Sequence, residues 1–173
     1  MICFFMDGNY AFSMGRSLAK NLDYKVLGDY LDEHYGDDFA KVRRYYYNVL
    51  VSDDENVMPL RKLTDFLSYN GYVVRYFVSP NEVKIAATRA FTSLNIAVDA
   101  LTLLKEGKLE KAIFCVGDTE YVNLLSTLRN YGVETHLFYA KNFNEVNQLR
   151  QHVDVAMDVE RMPWLVNPPS SRD

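Results

Sequence analysis

The chain has 173 residues, 49% of them hydrophobic, and a formal net charge of −4, which is the length of one domain with enough apolar material for one core. The negative balance argues against a sequence-blind nucleic-acid coat whose affinity rests on phosphate neutralisation, and no apolar run approaches the ~18 residues of a membrane span. The two cysteines, Cys3 and Cys115, lie in apolar runs and read as buried thiols, and no basic leader precedes the first apolar run, so the expected location is cytoplasmic.

Residues 1–6 form an unbroken apolar run that reads as a strand and stops at Asp7-Gly8-Asn9. Helical spacing follows over residues 10–36, broken near Asn21. Residues 39–51, rich in aromatic and β-branched side chains, read as a second strand, and 55–70 as a helix. Tyr72–Val78 is a third strand, 86–106 a long helix, and Ala112–Val116 a fourth strand that ends at Gly117-Asp118. A helix at 120–131, a strand at Glu134–Tyr139, a helix near 143–151 and an extended segment at Val153–Asp158 complete the pattern. Gly71, Gly107 and Gly132 each fall between a helix and a strand, where a left-handed residue closes the helix. Strands alternating with helices predict an α/β fold with a parallel sheet, as a domain over residues 1–160 and a loose, proline-containing tail over 161–173.

Two strands thus carry an aspartate at the C-terminal tip, which in an open parallel sheet is where ligands bind. Glu120 follows Asp118 by two residues. Asp99 stands inside the otherwise apolar stretch Ser93–Leu104, and Asn95, four residues earlier, shares its helix face, so that face is expected to meet something polar. Carboxylates converging to about 4 Å repel by roughly 4 kcal/mol per pair at an effective dielectric near 20, so a cluster of them calls for a cation. Oxygen donors without neighbouring cysteine or histidine suit Mg²⁺ or Mn²⁺ rather than zinc, and such an ion beside a phosphodiester supports hydrolysis. His34, His136 and His152 show no ligand spacing.

The charge is uneven. Residues 41–90 carry eight basic residues against five acidic ones, so that segment is +3 and the remainder −7. Arg43, Arg44, Lys84 and Arg89 are the cations on offer to substrate phosphates, although the same distribution fits an ordinary solvated surface. The run Tyr45-Tyr46-Tyr47 fits either a clamp for single-stranded RNA or a strand with residues in the core. Tyr10 is a candidate for stacking on a base.

The segments Phe5-Met-Asp-Gly-Asn9, Ile96-Ala-Val-Asp-Ala-Leu101, Val116-Gly-Asp-Thr-Glu-Tyr-Val-Asn-Leu-Leu125 and Val153-Asp154 resemble, in order and spacing, the successive motifs of the NYN domain, in particular its LabA-like branch within the PIN-like nuclease superfamily. The resemblance implies a three-layer α/β/α sandwich with strand order 3-2-1-4-5. It also implies metal-dependent cleavage of RNA, in which Asp7, Asp99 and Asp118 hold Mg²⁺ or Mn²⁺ and Glu120 assists. Asn9 corresponds to the amide beside the first aspartate, and Tyr121 to the aromatic of the Gly-Asp-x-Asp-Phe segment, where Glu120 replaces the second aspartate. The chain departs from the pattern at Ser93, where the family carries another aspartate, and at Ala90 and Phe91, near the place of a lysine.

A haloacid-dehalogenase-type phosphatase would need its nucleophile at position 5, which is Phe5, and no Gly-rich phosphate loop follows any strand. Two readings stay open: a ribonuclease acting on single-stranded RNA, with Asn9, Tyr10, Ser93 and Asn95 lining its pocket, and a weak or inactive module that binds RNA or a protein partner. A second copy of the chain is a further candidate partner, with Trp164 and the diproline tail as the docking segment.

Overall fold

The protein is described from a computed structural model covering residues 1–37, 40–51, 57–79 and 85–168. The strands are β1 (Ile2–Asp7), β2 (Asn21–Leu22), β3 (Arg43–Val51), β4 (Tyr72–Ser79), β5 (Lys111–Cys115), β6 (Glu134–Tyr139), β7 (Val155–Asp158) and β8 (Leu165–Val166). The helices are α1 (Gly8–Ser17), α2 (Tyr24–Tyr35), α3 (Val57–Tyr69), α4 (Ile85–Lys105), α5 (Val122–Asn130) and α6 (Asn144–Leu149), with single 3₁₀ turns at Thr119–Tyr121 and Arg150–His152.

Six strands form one parallel sheet in the order β4-β3-β1-β5-β6-β7. The expected order of the five predicted strands is therefore present, and the segment after α6 adds a sixth at the edge. The central strands are buried on both faces, as apolar parallel strands must be. On one face Phe4, Tyr46 and Phe138 meet α1 and α2; on the other Phe5, Tyr45 and Phe114 stack ring on ring beneath α4, with centroids 5.2 Å apart in each pair. The result is the α/β/α sandwich.

The break near Asn21 is real. Helix α1 ends at Ser17, Ala19 takes φ +50°, and Asp23 caps α2 by accepting the N–H groups of Lys25 and Val26. The three glycines between helices and strands have φ of +81°, +66° and +82°. Cys3 and Cys115 are both buried and unbridged.

The segment expected to be a loose tail is anchored through Val166. Trp164 is fully buried and stacked at 5.9 Å on Phe138, its carbonyl accepts the Asp23 N–H, and β8 pairs antiparallel with β2. Burying an indole of this size outweighs the flexibility that proline and serine lend its flanks. Trp164 is therefore part of this chain's own core rather than a free docking element.

Candidate active site

Asp7 is the last residue of β1 and the N-cap of α1. Its Oδ1 accepts the N–H groups of Asn9 (2.9 Å) and Tyr10 (3.2 Å), and its Oδ2 accepts the Tyr121 hydroxyl at 3.0 Å. The side chain is only 2% exposed. Burial pushes the carboxyl up from its ordinary value, and the three donors and the Arg89 charge pull it back.

Asp118 stands just past the tip of β5, the strand next to β1, at the entrance to the 3₁₀ turn that leads into α5. Helix α1 leaves β1 toward one face of the sheet, while α5 leaves β5 on the face that α4 covers, so the two aspartates flank a topological switch point. Burial raises the Asp118 carboxyl to about 6, with the negative charges of Asp7 and Glu145 and a hydrogen bond that the protonated Asp118 carboxyl donates to Glu145 adding to the rise. Arg89 opposes it, with Nη1 at 3.3 Å from Asp118 Oδ1. Glu145, in the first turn of α6, was missed in the sequence; an acid opening the helix after the next strand, β6, was the signal available.

Two glycines hold the strand tips close to aromatic rings. A Cβ on Gly8 would lie 2.5 Å from the Tyr46 hydroxyl oxygen and 2.8 Å from the Tyr47 carbonyl, and one on Gly117 would lie 2.2 Å from the Tyr10 ring. Neither glycine has a positive φ. Their requirement is space.

The structure groups only some of the predicted residues. Glu120 lies on the 3₁₀ turn and accepts the Ser93 hydroxyl at 2.9 Å, which brings Ser93 on α4 to this end of the sheet. The Nδ2 of Asn9 is buried with no hydrogen-bond partner among the described residues. Asp99 is elsewhere. It accepts the Tyr47 hydroxyl at 2.8 Å and pairs with Arg75 Nε at 3.1 Å, in a cavity lined also by Met1, Arg43 and Tyr45. The polar surface expected to face Asn95 and Asp99 is thus Tyr47 and Arg75, which lie in register with Asp7 on the next two strands, β3 and β4. Asn95 donates to the Phe91 carbonyl and lines a separate small cavity with Tyr47 and Arg75.

Among the described residues no three acidic, histidine or cysteine side chains come together as a ready-made metal cage. The Asp118 carboxyl feels the negative charges of both Asp7 and Glu145.

Several binding candidates have other work. Tyr10 is 7% exposed, with its ring edge-on to Phe143 and its hydroxyl oxygen accepting the Ala140 N–H, so it packs rather than stacks on a ligand. Tyr45, Tyr46 and Tyr47 are all buried, as the strand reading requires. Arg44 is a largely buried partner of Asp32, at 2.5 Å, and Arg43 lies over the Tyr45 ring. Both align with Cys3 and Phe4, three to four residues short of Asp7, which is roughly 10–13 Å along a strand. Lys84 lies outside the described residues. Of the predicted cations, Arg89 is the one placed at the strand tips.

A crystal structure of a protein of unknown function from Vibrio parahaemolyticus is similar in fold, with a TM-score of 0.69, 15% identity and 95% of each chain covered. No curated protein matches the sequence significantly. The family model of the NYN domain matches residues 1–164, nearly the whole sequence that builds this sheet and its two tip aspartates, and the chain belongs to that family, within the PIN-like nuclease superfamily.

Proposed function

We propose that the protein is a metal-dependent ribonuclease that hydrolyses phosphodiester bonds at the tips of β1 and β5. Membership of a nuclease superfamily points to a nucleic-acid substrate and hydrolytic chemistry. The observation that supports the finer reading is the placement of Asp7 and Asp118 at the ends of two adjacent strands at the switch point, where burial raises both carboxyls and the Asp7 charge raises that of Asp118 further.

The donor set fits a hard divalent ion. Mg²⁺ is commonly held by one or two carboxylates, with waters and substrate phosphate filling the remaining positions, and the tips offer Asp7 and Asp118, with Glu145 beside Asp118, while burial and the Asp7 charge push the nearby Cys115 thiol well up, so that it offers no thiolate. Asp7 and Asp118 would hold Mg²⁺ or Mn²⁺, whose contribution is charge neutralisation at the phosphate and a more acidic water. Glu120, accepting from Ser93 and exposed, is positioned to take a proton from the attacking water. The unpartnered Asn9 Nδ2 is a donor for a non-bridging phosphate oxygen. Arg89 neutralises Asp118 in the free protein and supplies a guanidinium for phosphate when substrate arrives.

A second reading, a module that binds RNA and cuts it slowly, draws on Ser93 standing where the family carries an acid. The deciding experiment is cleavage of a labelled, mixed-sequence single-stranded RNA with Mn²⁺, with Mg²⁺ and with EDTA. Metal-dependent cleavage that is lost in Asp7→Asn supports the nuclease. Binding without cleavage by the folded wild-type chain moves the function to the binding module.

A further inference from the structure

A groove of about 520 Å³ runs between α1, the β2 segment and α3, lined by Phe12, Arg16, Lys20, Leu22, Tyr24 and Leu63 among others. Among the described residues no acidic side chain lines it, in a chain whose net charge is −4. Phe12 is 63% exposed, whereas the buried residues of α1 are Gly8, Tyr10, Ala11, Met14 and Gly15, so the core makes no use of this ring. The Arg16 guanidinium lies 5.8 Å from the Phe12 ring centroid and forms no ion pair among the described residues. Among the described residues Lys20 donates only to the neutral side chain of Asn167.

An exposed aromatic with an uncommitted arginine beside it matches the two demands of a single strand of nucleic acid, a flat surface for a base and a cation for its phosphate. The placement fits a strand that also reaches the acids. Helix α1 begins immediately after Asp7, and at about 1.5 Å per residue Phe12 and Arg16 lie roughly 8 and 13 Å along its axis from that aspartate.

We propose that this groove binds the single-stranded RNA flanking the scissile phosphate, with one base stacked on Phe12 and a neighbouring phosphate held by Arg16. The proposal rests on the ribonuclease reading for its substrate, but its test does not depend on cleavage. A short labelled single-stranded RNA is titrated by fluorescence anisotropy against full-length Asp118→Asn protein with Mg²⁺ present, and against the same protein carrying Phe12→Ala, Phe12→Trp or Arg16→Ala.

Phe12→Ala is expected to weaken binding by roughly five- to a hundredfold, and Phe12→Trp to retain it. Arg16→Ala is expected to flatten the dependence of log K on log salt by about 0.7. Both side chains are exposed, so unchanged melting temperatures serve as the folding control. Equal binding by all variants overturns the proposal, as does a change of oligomeric mass confined to the groove variants, which would assign the groove to a second copy of the chain. Groove-dependent binding with no cleavage by the wild type leaves the groove standing and removes the nuclease. Cleavage with groove-independent binding does the reverse.

Discussion

Tyr121 donates its hydroxyl to Asp7 Oδ2 at 3.0 Å, joining the turn after β5 to the tip of β1. Both groups are buried, so the bond acts where water cannot replace it. It favours the ionised carboxylate against the burial that opposes ionisation. Tyr121→Phe removes a hydrogen bond to a charged group, of the kind that contributes about 1.5–3 kcal/mol, and so pushes the Asp7 carboxyl further up. The acid limb of the pH–rate profile for RNA cleavage is expected to move to higher pH, with denaturant unfolding at neutral pH showing a loss of stability.

The ionised Asp118 carboxyl costs the folded chain stability. Its carboxyl titrates near 6 in the folded chain against an ordinary 3.8, so between those values the folded state holds more protons than the unfolded one. The stability this group contributes is fully present below about 3.8 and is lost as pH rises through about 6. Asp118→Asn is therefore expected to raise the melting temperature at neutral pH, by about 2–4 °C for each kcal/mol relieved in a chain of this size, with the difference vanishing toward pH 4. Mg²⁺ or Mn²⁺ is expected to raise the melting temperature of the wild type and not of the variant. Cleavage is expected to fall by about a hundredfold or more.

Arg89 is half exposed and its ion pair with Asp118 is long, so its removal costs little stability. Its loss is expected to be felt in substrate affinity. Arg89→Ala should raise KM for RNA by about tenfold, the effect of one lost charge-assisted contact of roughly 1.5 kcal/mol, and should push the Asp118 carboxyl higher. Arg89→Lys restores the charge but not the two-pronged contact, and is expected to fall between. Steady-state kinetics across pH separates the two effects.

Ser93 offers a gain-of-function test. Its hydroxyl meets Glu120 at 2.9 Å, so Ser93→Asp would add a further carboxylate at this end of the sheet. Repulsion is expected to lower the melting temperature in EDTA, and added Mn²⁺ to restore it with tighter binding than the wild type shows by calorimetry.

Much of this architecture is legible in the sequence because apolar parallel strands are unmistakable and Asp7 and Asp118 end two of them. Arg43 and Arg44 are instructive: they precede the tyrosine run and so belong to the start of β3, as far along the strand from its tip as the alignment with Cys3 and Phe4 implies. Tyr10 was also readable, since with Ala11 and Met14 it completes the inward stripe of α1. Asp99 was not. Spacing joins it to Asn95 on one helix face, but which strands that face meets depends on how α4 crosses the sheet, and Asp99 comes down over β3 and β4. From Ser93 to Asp99 it runs about 9 Å, enough to exchange Glu120 for Tyr47 and Arg75 as neighbours. Trp164 lay beyond pattern for another reason: one large side chain carries no periodicity, and its partner Phe138 is distant in sequence.

The crowding around Gly8 and Gly117 bears on how sequence variation at this site should be read. Any side chain at either position drives into Tyr46 or Tyr10, so substitutions there would abolish activity as completely as loss of an acid, through displacement of Asp7 or Asp118 rather than through chemistry. A saturation scan scored by cleavage alone would rank both glycines beside the aspartates. Scored by protein abundance as well, it would separate them, because the aspartates can be replaced by their amides in a folded chain, whereas any side chain at the glycines must displace Tyr46 and the Tyr47 carbonyl or the Tyr10 ring.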